Sequence, residues 1–141
     1  TYMKRKINAI WKGDGSNGSG FLNAQSGAFI DMPYTFKTRF ENDKGVLGTN
    51  PEELIAAAIA GCFNMKLSFV LNEAKFNPEE LNTDAILTFE DGKILSVELN
   101  LKGKVSSISE KKFIDLANNA KENCPISGVL NCDILLNSTL L

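Results

Sequence analysis

The stretch from Gly48 to Leu71 constrains this chain more than any other, because it sets a cysteine inside an unusually apolar helix. Asn50 can cap the first free N–H groups, Pro51 suits a first helical position, and Glu52 and Glu53 fall in the first turn, where the helix dipole favours carboxylates. From Leu54 to Phe63 no residue is charged, and Cys62 carries the single polar group. A helix with no polar face is expected to be central and buried all round. The run is too short to span a bilayer, and Asn64, Lys66 and Ser68 return polarity beyond it, so a membrane role is not expected.

The chain of 141 residues fits one domain, 1–141, with enough length for a real core. Its formal net charge of −2 offers no general attraction to nucleic acid, and the basic cluster Lys4-Arg5-Lys6 is short. No signal peptide follows that cluster, which points to the cytoplasm. Met3 is the first methionine and the expected natural start, with Thr1 and Tyr2 as added residues. Three cysteines, Cys62, Cys124 and Cys132, form no C-x-x-C pair, so neither a disulfide scaffold nor a zinc ribbon fits. There is no histidine, which excludes Ser-His-Asp and Cys-His catalysis and most zinc and haem sites. A reactive thiol here must be activated without imidazole.

Along the chain, weak β alternation from Tyr2 to Lys12 leads into the glycine-rich segment Gly13 to Gly20. Its letters match G-x-G-x-x-G, but strand and turn residues follow instead of a helix, so a hairpin is expected. Tyr34 to Glu41 alternates as a strand, with Arg39 on its polar face, and Asn42 to Asn50 connects it to the helix. Beyond Asn77-Pro78, Thr83 to Glu90 resumes period two, with Ala85, Leu87 and Phe89 on one face. Asp91-Gly92 predicts a hairpin, and Leu95, Val97, Leu99 and Leu101 alternate with polar residues in its second strand. Ser109 reads as the N-cap of an amphipathic helix ending near Asn123. Cys124-Pro125 opens a short helix through Leu130, and a last strand covers Cys132 to Leu140. The order of elements predicts an α+β fold with antiparallel sheet.

Each candidate for chemistry has an ordinary alternative. Cys62 alone is most simply a small buried hydrophobe, and Cys124 at a helix start, where thiolate is favoured, is a possible cap-region residue. Cys132 reads as structural or incidental. Arg39 would by default be a solvated cation and Glu52 a helix-start carboxylate, yet an arginine is the natural group to stabilise a thiolate where histidine is absent. Together these residue types suffice for a thiol peroxidase.

The sequence resembles the OsmC/Ohr family of thiol-dependent peroxidases, in its OsmC branch. The resemblance rests on Trp11 with its glycine-rich turn, the segment Tyr34 to Glu41, Gly48 to Ala58, Ala60-Gly61-Cys62-Phe63, and Cys124 to Leu130. It implies Cys62 as peroxidatic cysteine, Cys124 as resolving cysteine, and Arg39 and Glu52 as the activating pair. It also implies antiparallel sheets wrapped around a central buried helix in an intertwined homodimer with sites at the interface. No cofactor is expected; an external dithiol, such as a lipoyl protein, restores the thiols, and organic hydroperoxide is the expected substrate. Leu54, Phe63, Met65 and Tyr34 are expected to wall the site and favour alkyl peroxides. Two features depart from the family: Ile59 stands where relatives commonly carry histidine, and the connector from Glu41 to Gly48 is slightly long. Because Glu52 and Cys62 are separated by about 15 Å along a straight helix, either the helix start is unwound or Glu52 comes from a partner, and the partner is the expected source. The competing class is a non-catalytic α+β stress-associated dimer, or a small-ligand-binding module, whose thiols merely pack.

Overall fold

The computed structural model describes residues 2–41 and 48–141. Most of the connector from Glu41 to Gly48, and Thr1, therefore lie outside the described residues. The chain divides into two compact units, residues 1–54 and residues 55–141.

In the first unit, β1 (Ile7–Lys12), β2 (Ser19–Ala24) and β3 (Met32–Thr35) form an antiparallel sheet in the order β1-β2-β3. The glycine-rich segment is a hairpin, as its residues predict. Asp14 Oδ1 accepts from the N–H groups of Ser16 and Asn17 at 3.1 and 2.7 Å, closing the turn locally. Gly20 is required there because a Cβ would stand 2.3 Å from the Ile10 carbonyl oxygen. The strand expected over Tyr34 to Glu41 is corrected: β3 stops at Thr35, and Phe36–Phe40 form a helical turn, α1. Thr35 and Thr38 make the reason plain. Thr38 N–H donates to Thr35 Oγ1 at 3.0 Å, while Thr35 N–H donates to Thr38 Oγ1 at 2.8 Å, a reciprocal cap that outweighs the β alternation.

Helix α2 (Pro51–Glu73) begins as the sequence predicts, with Asn50 Oδ1 accepting from Glu53 N–H at 2.8 Å. It is longer than its uncharged run, and by length and composition alone it could cross a membrane. In the fold it serves as a core helix. Ile59, Phe63, Leu67 and Leu71 are fully buried in the second unit. The expectation of burial all round is corrected, since Ala57, Ala58, Gly61, Met65 and Phe69 are exposed in the single chain.

The second unit's sheet holds β4 (Pro78–Glu90), β5 (Lys93–Val105) and β6 (Asp133–Leu140) in that order. β4 starts earlier than the alternation suggests, with Pro78 as first residue, where a missing N–H is tolerated. Asp91 and Gly92 both take positive φ, 51° and 76°, as a two-residue hairpin of the expected kind requires. Val97, Leu99 and Leu101 face the core, but Leu95 is 44% exposed. Pairing shifts there: Thr88 faces Ser96 and Phe89 faces Ile94, leaving Leu95 as an unpaired bulge.

The sheet is not wholly antiparallel, because β6 pairs parallel to β5. A parallel return needs a long crossover, and here α3 (Glu110–Asn123) and α4 (Pro125–Val129) supply it. Ser109 caps α3 as expected, accepting from Lys112 N–H at 3.1 Å. Phe113, Ala117 and Ala120 bury its inner face against the core that α2 and β5 share. The α+β class is borne out.

Candidate active site

Two pairs of side chains assemble, one in each unit. In the first, the reciprocal cap of α1 is tied to the start of α2: Thr38 Oγ1 donates to the Thr49 carbonyl at 3.0 Å, and Asn50 Nδ2 donates to the Thr38 carbonyl at 3.3 Å. That local closure brings Arg39 onto Glu52. Arg39 Nε lies 2.9 Å from Glu52 Oε1 and its Nη2 lies 2.7 Å from the same oxygen, while Nε also reaches Oε2 at 3.2 Å. The two-pronged contact fixes the plane of the guanidinium, which a single ammonium contact would not. The arginine side chain is 38% exposed and the carboxylate 13%. Solvent screening limits the pair's own stabilisation to about 1 kcal/mol at most, so its consequence is orientation.

Arg39 also faces a cleft of about 300 Å³ lined by Trp11, Tyr34, Phe36 and Phe40. The guanidinium carbon sits 4.8 Å from the Phe40 ring centre, and Trp11 packs on Tyr34 at 5.4 Å. Such walls combine apolar surface with one oriented cation.

In the second unit, Cys62 on α2 meets Cys124, which ends α3 and begins α4. Their Sγ atoms are 2.9 Å apart, although 62 positions separate them in sequence. The thiols are unbridged. They share a hydrogen bond, and their surroundings decide which keeps the proton. Burial, followed by the contact with Cys124, pushes the Cys62 thiol above its ordinary range, against a smaller opposing pull from the Ile126 N–H and the Lys66 charge. Burial also acts to raise Cys124, but the Cys62 thiol, the N–H groups of Ser127 and Ile126 and the nearby Ser127 hydroxyl outweigh it and hold Cys124 below.

Cys132 precedes β6 and packs, partly buried, at the edge of the core. Burial, then the Asp133 charge, raise its thiol. Among the expected walls, Phe63 is corrected: it is fully buried in the core and cannot meet a substrate. Met65 is 66% exposed, whereas Tyr34 does line the cleft beside Arg39. Lys66, Ser127 and the Thr35–Thr38 cap were not singled out from sequence. The signals were present as spacings: Thr35-x-x-Thr38, and Ser127 three residues after Cys124 on one helical face. Among the described residues, no group of three or more His, Cys, Asp or Glu side chains could hold a metal ion.

A pair of thiols brought together from a core helix and a proline-started helix, in an α+β chain, defines a two-cysteine thiol protein. The chain belongs to the OsmC-like protein family, whose profile matches residues 41–138. It is 40% identical over 142 aligned positions to Peroxiredoxin OsmC of Escherichia coli (strain K12), spanning 98% of this chain and 97% of that protein. Among solved structures, the organic hydroperoxide resistance protein OhrB of Bacillus subtilis is 25% identical, with a TM-score of 0.68 over 99% of this chain and 98% of that one. An OsmC-like protein from Mycoplasma pneumoniae, 14% identical over 100% of this chain and 99% of its own, shares the fold with a TM-score of 0.77.

Proposed function

We propose that this chain is a cysteine-based peroxidase that reduces organic hydroperoxides, and hydrogen peroxide more weakly, in oxidative and osmotic stress defence. The observation that carries the reading is the 2.9 Å approach of Cys62 and Cys124, a spacing suited to a thiol pair that opens and closes a disulfide. Family membership and the peroxiredoxin and hydroperoxide-resistance names of its relatives support the same chemistry.

In this reading the Cys62 thiolate attacks the O–O bond, takes one oxygen as a sulfenic acid, and releases an alcohol, or water from hydrogen peroxide. Cys124 then attacks the sulfenic sulfur, water leaves, and a Cys62–Cys124 disulfide forms. An external dithiol, such as a lipoyl group on a protein, returns two electrons and two protons. No bound cofactor enters this cycle.

Since burial and Cys124 hold the Cys62 thiol up, it needs a further cation to ionise near neutral pH. Arg39, gripped by Glu52, is the proposed source, and it would also polarise the peroxide. α2 runs unbroken from Pro51 to Glu73, and a straight helix sets residues ten apart about 15 Å from each other along its axis. We therefore assign the Arg39–Glu52 pair that serves each Cys62 to a second copy, in a homodimer that works in the cytoplasm as one domain per chain. The exposed apolar face of α2 supports association, being costly to leave in water.

Stopped-flow consumption of cumene hydroperoxide and of hydrogen peroxide tests the proposal. Cys62→Ser should abolish turnover, Cys124→Ser should allow one turnover and accumulate sulfenic acid, and the organic peroxide should react faster. Wild-type turnover in Cys62→Ser would overturn the reading.

A further inference from the structure

A disulfide between Cys62 and Cys124 can be opened at either sulfur, and the surroundings of the two sulfurs are unequal. Cys124 is 1% exposed, closed in where α3 meets α4. Cys62 is half-buried, less closed in than Cys124. An attacking thiolate must approach along the S–S axis, so access decides first. The path that admits a peroxide to Cys62 also admits a thiol.

The second inequality is the Ser127 hydroxyl. Its Oγ is buried with no well-aligned hydrogen-bond partner, and the group within its influence is Cys124, three residues earlier. A buried hydroxyl without a partner is costly, and a thiolate formed at Cys124 would satisfy it. Leaving-group thiols depart faster when their thiolates are stabilised.

We propose that the reducing dithiol attacks the sulfur of Cys62, and that Cys124 leaves as a thiolate steadied by Ser127, a positioning residue for the regeneration step. This rests on the peroxidase reading above. One thiolate of the dithiol forms a bond to Cys62 Sγ as the Cys62–Cys124 bond breaks, and the electron pair goes to Cys124 Sγ. The second thiol of the reductant then attacks its own linked sulfur, expelling the Cys62 thiolate. The reductant becomes a disulfide, and its two protons end on the two cysteines.

The test uses the full chain oxidised with diamide, with the bridge confirmed by peptide mass mapping and therefore formed without peroxide. A short pulse of glutathione, which cannot complete the second step, is quenched with N-ethylmaleimide before digestion. Glutathione is expected on the Cys62 peptide and maleimide on the Cys124 peptide, by at least roughly tenfold over the reverse. Glutathione chiefly on Cys124 overturns the inference and leaves the peroxidase reading standing, whereas failure of the Cys62–Cys124 bridge to form sinks both. Ser127→Ala should slow opening several-fold and, in a Cys62→Ser background, move alkylation of Cys124 to higher pH. Ser127→Thr, which keeps the hydroxyl, should restore both. Unchanged rates and pH profile in Ser127→Ala would remove Ser127 from the step.

Discussion

Gly103→Ala probes how tightly the packing of α3 governs the thiol pair. Gly103 lies on the inner face of β5, and a Cβ there would stand 2.4 Å from Cζ and 2.8 Å from Cε1 of Phe113. Ordinary contact begins near 3.4 Å, so the ring must retreat by about 1 Å. Phe113 is fully buried on α3, so the ring's retreat is expected to carry α3 with it. Overpacking of this kind costs about 1–3 kcal/mol, roughly a five- to 150-fold loss in the folding equilibrium. Cys124 caps the far end of α3, so an equal displacement there is large against a 2.9 Å sulfur separation. Urea unfolding followed by circular dichroism should show the lost stability, and diamide-driven bridge formation should slow in the folded protein. Phe113→Leu, which removes the outer ring atoms, should rescue part of both effects in the double variant. Strict additivity of the two substitutions, or a neutral Gly103→Ala, would refute the argument.

Three further outcomes are expected. Arg39→Ala should move the pH midpoint of Cys62 alkylation upward, because burial and Cys124 already raise that thiol and the substitution removes the proposed opposing charge; Arg39→Lys should recover only part, and an unchanged midpoint would take Arg39 out of the mechanism. Mixing inactive Cys62→Ser chains with inactive Glu52→Ala chains should recover part of the activity, because a heterodimer holds one intact shared site; no recovery despite measured subunit exchange would place both residues in one chain's site. Ser109→Ala should lower the urea midpoint by the equivalent of about 1 kcal/mol through loss of the α3 cap, and no change would mean that the Lys112 N–H finds another partner.

What could be read from sequence was local. The caps at Asn50 and Ser109, the Asp91-Gly92 turn and the Cys124-Pro125 helix start all depend on residues within a few positions of one another. The errors came where two local signals competed or where the deciding partner was distant. At Thr35 a capping spacing overrode an aromatic alternation, moving Arg39 from a strand to a helical turn. The parallel pairing of β6 depends on where a 20-residue crossover from Glu110 to Val129 returns the chain, which no strand reveals by itself. Leu95 fits its pattern perfectly, yet it is itself the extra residue of a bulge and turns outward. For α2, composition announced an apolar helix but could not say that one chain covers a single face of it. All four candidate residues for chemistry are legible in the sequence through its resemblance to the family. The structure adds that Arg39 contacts Glu52 and that Cys62 contacts Cys124.

Cys124 is the cap shared by the end of α3 and the start of α4, and its thiol touches Cys62, 62 positions earlier on α2. Closing a loop of that length with a covalent bond restricts the unfolded chain by about 4 kcal/mol in the chain-entropy description. Each catalytic cycle would then alternate a chain knotted against unravelling with one held by packing alone. A protease would find the fully reduced form the easier prey, and the lifetime of the protein would lengthen with the oxidant it is meeting.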